Sequence, residues 1–250
     1  MSSHSSASAA NAEPFFAAEH IHLHLGGRTI LNDISLEVAR GEVLGIIGPN
    51  GAGKTSLFEV LSGRIAPRSG RMRFRGEDIT ALPLFARARL GIGRTYQTPV
   101  VPEDLTVGEV LKGARQAYPP YCTRHHAEWA CELVGFAVDE RTPAQRLETL
   151  NRRKLLLACL LMRRCTLLLL DEPAAGMINA EIDEFDHLIR VLSKELNIGV
   201  AIVEHRIELL ETIADRVMVM DAGETIAEGS LAAILADRRV HAAYFETVDE

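Results

Sequence analysis

Apolar and polar positions change rhythm several times along the chain. His20-Ile21-His22-Leu23-His24-Leu25 alternates with period two, as does Arg71-Met72-Arg73-Phe74-Arg75, and each predicts a half-buried strand. Elsewhere apolar residues run together. Glu42 to Ile47, Thr166 to Leu170, Gly199 to Val203 and Val217 to Met220 read as strands buried on both faces. Helical spacing follows in Lys54 to Leu61 and again in Ile182, Phe185, Leu188, Ile189, Leu192 and Leu196. Strands and helices alternating after residue 40 predict an α/β fold, a mainly parallel sheet flanked by helices, with a small antiparallel β layer beside it. Residues from about 98 to 155, with Pro119-Pro120 and short helical patterns, predict a helical subdomain, and residues from about 221 to 250 a C-terminal extension of strand and helix. No internal repeat is evident.

Composition narrows the picture. The chain has 250 residues, 47% hydrophobic and 24% charged, enough for one large domain. Its net charge of −7 argues against a nucleic-acid binder, which needs a basic face. Arg64, Arg68, Arg71, Arg73 and Arg75 cluster locally and read as a solvated face. Cys122, Cys131, Cys159 and Cys165 form no C-x-x-C pair, and Cys159 and Cys165 lie in apolar stretches as buried thiols. The three histidines of the first strand share one face, but no second ligand cluster accompanies them. Residues 1–17 are expected to be a flexible tail, Ser/Ala-rich, with neither the basic start nor the apolar core of a signal peptide. The longest apolar run, Leu155 to Met162, is too short to cross a bilayer, so no direct membrane insertion is expected.

Between the first buried strand and its helix stands Gly48-Pro49-Asn50-Gly51-Ala52-Gly53-Lys54-Thr55, a G-x-x-x-x-G-K-[ST] phosphate loop (Walker A) followed by Ser56. Glycines let successive backbone N–H groups turn inward around phosphate oxygens. Lys54 can reach the β- and γ-phosphates and the Thr55 hydroxyl can ligate Mg2+. The phosphates would rest on a helix N-terminus, where free N–H groups and the dipole favour anions.

Polar groups then gather at the carboxyl ends of the buried strands, where open α/β sheets bind ligands. Leu167 to Asp171 is a Walker B pattern, apolar residues ending in a carboxylate placed to hold Mg2+. Glu172 follows and can polarise a water for attack on the γ-phosphate. His205 closes the next strand and can donate a hydrogen bond to that phosphate. Gln97 precedes the helical subdomain and can contact Mg2+ or the attacking water. The alternative readings are a helix-capping Asp-Glu pair, a structural histidine and an ordinary polar loop residue.

With these motifs in this order, the chain from about residue 18 resembles the ATP-binding-cassette (ABC) ATPases, and among them the ATP-binding subunits of branched-chain amino acid importers. Related importers of urea or other small amides and acids share the features. The carrying residues are Gly48 to Thr55, Arg94-Thr95-Tyr96-Gln97, Leu105 to Val110, Asp171 to Met177, Val203-Glu204-His205, Ile226 to Gly229 and Val240 to Tyr244. The resemblance implies ATP and Mg2+ as ligands and a head-to-tail dimer of such subunits. Each ATP is sandwiched between one subunit's phosphate loop and the other's signature segment. It also implies transmembrane permease partners, met by the region after Gln97, and a place at the cytoplasmic face of the inner membrane.

The sequence departs from the family at the signature. The Leu-Ser-Gly-Gly-Gln-like segment falls on Leu147-Glu148-Thr149-Leu150-Asn151, and neither glycine nor serine occurs from Phe136 to Ala175. Leu150 is expected to crowd the approach to a partner's γ-phosphate. An inward Glu148 would repel it by roughly 4 kcal/mol at about 4 Å and an effective dielectric near 20. Leu25 stands where the family often has an adenine-stacking ring, and Ile178-Asn179 replaces the usual end of the loop after Walker B. The expectation is therefore a heterodimer with a signature-intact second cassette and weak hydrolysis without it. The rivals are a regulatory or scaffold module and, with no acceptor site in view, a phosphoryl-transferring kinase.

Overall fold

In the computed structural model, which describes residues 14–240, two sheets share one body. The chain opens with β1 (Phe16–Leu25) and β2 (Arg28–Val38), enters the core with β3 (Val43–Ile47) and turns into α1 (Lys54–Leu61). It returns through β4 (Ser69–Phe74), β5 (Glu77–Asp78), α2 (Leu84–Leu90) and β6 (Ile92–Arg94). A helical segment follows, with α3 (Val107–Gln116), α4 (Arg124–Leu133) and α5 (Thr149–Met162). The core resumes with β7 (Leu167–Asp171), α6 (Asn179–Arg190), β8 (Gly199–Val203), α7 (Ile207–Ile213) and β9 (Arg216–Asp221). It closes with β10 (Glu224–Gly229), α8 (Leu231–Leu235) and α9 (Arg238–Val240).

The larger sheet has the order β10-β9-β3-β8-β7-β6, parallel except for β10, and the smaller is antiparallel with the order β2-β1-β4-β5. Continuous apolar runs make β3, β7 and β8 buried at every position because both faces of the larger sheet are covered. Alternate residues feed two cores. Leu44, Ile46, Leu167, Leu169, Met218 and Met220 pack with α1 and the antiparallel layer. Val43, Ile47, Leu168, Leu170, Val200 and Ile202 pack with α5, α6 and α7. Removing one such leucine to alanine costs about 2–5 kcal/mol.

Three expectations shift. The tail is shorter than 1–17, because Phe15, Phe16 and Ala17 are buried and β1 starts at Phe16; residues 1–13 lie outside the described part, as do His241 to Tyr244. The antiparallel layer has a long second strand, β2, that the alternation did not announce. It carries Asp33 at φ 58°, facing a register shift in β1 where His20 has φ 51°, and these breaks scramble the period. The same bulge ties His20 to Asp33 at 2.7 Å, while His24 bonds Thr29 and Arg68. Among the described residues no group of His, Cys, Asp or Glu is placed to hold a metal. Finally, α5 runs to Met162, past residue 155, because the apolar run that begins at Leu155 carries the helix into the core.

Most of the arginine cluster is paired: Arg64 with Glu59, Arg71 with Asp78 and Arg73 with Glu19. Among the described residues no helix is long and apolar enough to cross a membrane.

Candidate functional site

The site forms where β3, β7 and β8 end together. Gly48 leaves β3 at φ 154°, and a Cβ there would lie 2.1 Å from the Met220 carbonyl oxygen, so only glycine lets the loop pass this close to β9. Gly53 is the N-cap of α1 at φ 100°, with no side-chain cap. The first amides of α1 are thus left to an external acceptor, with Thr55 exposed and Ser56 half-buried in the first turn. Lys54 is buried, and its ammonium donates to the Gly48 and Pro49 carbonyls at 2.7 and 2.9 Å. Burial pulls Lys54 below the ordinary lysine range, while Glu172 and Asp171 oppose the shift. That coupling ties the loop's cation to the two strand-end carboxylates.

Asp171 closes β7 opposite Val203 and is buried. Burial pushes its carboxyl up; Arg94 opposes, and Glu172 and Glu59 add to the rise. Arg94 lies 3.4 Å from Asp171 and 3.0 Å from Glu59, donates to Ser62 at 3.1 Å and stacks on Tyr96. Glu172 adopts φ 45°, and its N–H donates to the Val203 carbonyl at 2.9 Å. That turn swings its carboxylate away from Asp171 toward the neighbouring loops. Gln97 Nε2 donates to one Glu172 oxygen at 2.6 Å, and His205 Nε2 bonds the other at 2.8 Å. Gln97, Glu172 and His205, named from three separate segments, are therefore one hydrogen-bonded group.

Two residues to which the sequence assigned no role of their own hold this group in place. Glu204, 3% exposed, accepts from Ala174 N–H at 2.8 Å and from His205 N–H at 3.2 Å, locking the loops that carry Glu172 and His205 together. Burial pushes its carboxyl up, and the amides of Ala174, His205 and Arg206 oppose. Arg153, 4% exposed on α5, donates to the Ala175 and Gln97 carbonyls at 2.9 and 3.3 Å. A charged pair, Arg153-Lys154, just ahead of an apolar helical run was the available signal for Arg153; Glu204 at a buried strand end was the signal for the other.

The signature positions differ from expectation in one respect. Leu150 does not stand at the surface; it is buried with Leu147 in the core shared by α5. What α5 presents is Glu148 at its N-cap, exposed and making no side-chain cap bond, then half-buried Thr149. Leu25 stays 42% exposed at the end of β1, and Ile178 is 68% exposed at the N-cap of α6.

A glycine cradle with an uncapped helix terminus and a lysine suits a polyphosphate. A threonine hydroxyl and a buried aspartate beside it suit a hard divalent cation such as Mg2+. The carboxylate–glutamine–histidine group suits a water at the terminal phosphate.

The family model described as ABC transporter matches residues 31–175. The chain is 31% identical to the high-affinity branched-chain amino acid transport ATP-binding protein BraF of Pseudomonas aeruginosa, over 88% of this chain and 92% of that one. It is 32% identical to the lipopolysaccharide export system ATP-binding protein LptB of Acidithiobacillus ferridurans, over 87% and 90%. The crystal structure of the ADP conformation of MJ1267, an ATP-binding cassette of an ABC transporter, superposes with a TM-score of 0.84 at 26% identity, covering 94% of this chain and 99% of that chain.

Proposed function

The chain belongs to the ABC transporter ATP-binding family, and from that premise we propose that it is the ATP-hydrolysing subunit of an importer, working in a heterodimer at the cytoplasmic face of the membrane. Branched-chain amino acids or similar small polar solutes are the proposed cargo, which the BraF likeness supports. The similar identity to an export-system protein makes the direction of transport part of the proposal.

One observation carries the heterodimer: the chain has one complete half-site and one incomplete half-site. Lys54, Thr55, Asp171 and the Glu172–Gln97–His205 group stand together, whereas Phe136 to Ala175 holds no glycine or serine to close over a partner's nucleotide. In the complete half, the loop amides and Lys54 hold the phosphates of ATP, Lys54 exchanging its bonds to Gly48 and Pro49 for phosphate oxygens. Thr55, Asp171 and Gln97 would hold Mg2+, whose charge offsets that developing on the terminal phosphate. Glu172 orients and accepts a proton from the attacking water once Gln97 and His205 turn from its oxygens. His205 then donates to the γ-phosphate.

The test is steady-state ATP hydrolysis by the pure protein and by its complex with a cassette whose signature keeps serine and glycines. Turnover should be low alone and rise with the partner; vigorous, cooperative hydrolysis by the homodimer refutes the reading. The missing glycines also favour a regulatory module with little hydrolysis of its own, and a single-turnover experiment in the complex separates the two.

A further inference from the structure

A second cavity, of about 660 Å³, lies at the opposite end of the strands. Gly91 and Thr166 on its wall precede β6 and β7, whose far ends carry Arg94 and Asp171. A five-residue strand separates the two sites by about 17 Å. The wall presents Arg75, Arg89, Arg163, Arg164 and His126, and no Asp or Glu lines it. That is unusual in a chain of net charge −7. Among the described residues Arg75, Arg89, Arg163 and Arg164 have no ion-pair partner.

Their geometry is that of an open receptor. The Arg163 guanidinium lies over the Tyr118 ring, 3.7 Å from its centroid, and donates to the Tyr118 and Arg115 carbonyls at 2.7 and 3.4 Å. Its Nε is buried with no acceptor, and so is the His126 Nε2. Arg75 bonds the Thr166 hydroxyl, and a Cβ on Gly91 would sit 3.6 Å from Arg75 Nη2 and 3.3 Å from that hydroxyl, so the glycine keeps this corner open. Arg89 rests against Phe85 and Tyr118 with its guanidinium otherwise unbonded.

We propose that this cavity binds a phosphate ester. Guanidinium forks match phosphoryl oxygens in pairs, and the volume suits a small organic phosphate. Among the described residues no carboxylate lines the cavity to compete with a phosphate, and the guanidiniums of Arg89 and Arg164 make no hydrogen bond. The ester is either a soluble metabolite or a phospholipid headgroup. The walls come from α2 and β4 on one side and from α4, α5 and the α3–α4 connection on the other, so occupancy would hold the helical segment against the core.

The test uses the full-length protein with its phosphate loop saturated by Mg-ADP. One arm titrates glycerol 3-phosphate by calorimetry; the other sediments phosphatidylglycerol vesicles against phosphatidylcholine vesicles. Saturable binding in either arm is expected, and the arm identifies the source. Arg89→Gln combined with Arg164→Gln should weaken it about tenfold or more, with Mg-ADP affinity and melting temperature unchanged. Independently of any variant, the bound probe should protect Arg89 and Arg164 of the native protein from phenylglyoxal, read by peptide mass spectrometry. Binding in neither arm, binding indifferent to the double variant, or no protection overturns the proposal. So does tighter binding of a glutamate-rich peptide, which would make the site a protein-docking surface.

Discussion

Gly48→Ala separates the shape of the phosphate loop from its charge. The added methyl would lie 2.1 Å from the Met220 carbonyl oxygen, 3.1 Å from the carbonyl carbon and 3.3 Å from the Ala52 Cβ. A carbon and a carbonyl oxygen settle at about 3.3 Å, so something must retreat by roughly 1.2 Å. Met220 cannot easily do so. It is fully buried in β9, whose neighbours β3 and β10 pair with it on either side. The loop must move instead, and it carries the Gly48 carbonyl that receives the Lys54 ammonium. Overpacking of this kind costs about 1–3 kcal/mol of stability. A displacement near 1 Å at a binding constellation costs about a hundredfold. We expect calorimetry with Mg-ADP to show a Kd raised by about 10- to 100-fold and the melting temperature to fall. Gly51→Ala is the comparison: its Cβ meets nothing within 4 Å, so only the left-handed backbone at φ 84° is strained, and it should cost about 1–2 kcal/mol of stability without pushing the loop off β9. Wild-type nucleotide affinity in Gly48→Ala would falsify the claim that close approach to β9 shapes the loop.

Three further outcomes follow from the same geometry. Arg153→Met leaves the Gln97 and Ala175 carbonyls without their charged donor, and at about 1.5–3 kcal/mol per bond urea unfolding should show a loss of roughly 3–6 kcal/mol. Glu172→Gln should leave Mg-ATP binding within about threefold and lower turnover of the complex by at least about a hundredfold, whereas His205→Ala should lower it less; full turnover in Glu172→Gln rejects the assignment of that residue. Burial pushes the Cys159 and Cys165 thiols up to about 12, so at pH 8 about one in ten thousand is ionised; Cys165 should resist Ellman's reagent until the protein unfolds, and Cys159, half-buried rather than buried as the sequence suggested, should react only slowly. Because the folded values exceed the unfolded ones, this contribution to stability is complete below about pH 8.5 and is lost as pH rises toward 12, which alkaline melting curves would register.

Legibility tracked how local each signal was. Five-residue apolar runs announced β3, β7 and β8 because burial on both faces leaves no other composition, and the phosphate loop announced itself because its function is carried by the backbone of one octet. β2 stayed hidden because Asp33 breaks its period, a break visible only beside His20 of β1. Glu204 and Arg153 were silent for a different reason: their long-range partners are backbone groups 22 to 56 residues away, and a carbonyl or amide leaves no trace in a side-chain pattern. The signature segment is the instructive case. From sequence, Leu150 looked like the obstruction, yet it faces its own core. The proposed asymmetry between the half-sites then rests on other residues. The terminus of α5 offers a partner's phosphate no glycine, and its N-cap carries an exposed carboxylate, Glu148, whose repulsion at about 4 Å and an effective dielectric near 20 is roughly 4 kcal/mol. On the proposed pairing the obstruction at this terminus is electrostatic rather than steric, and Glu148→Ser should raise turnover in the dimer where Leu150→Gly would only open a cavity.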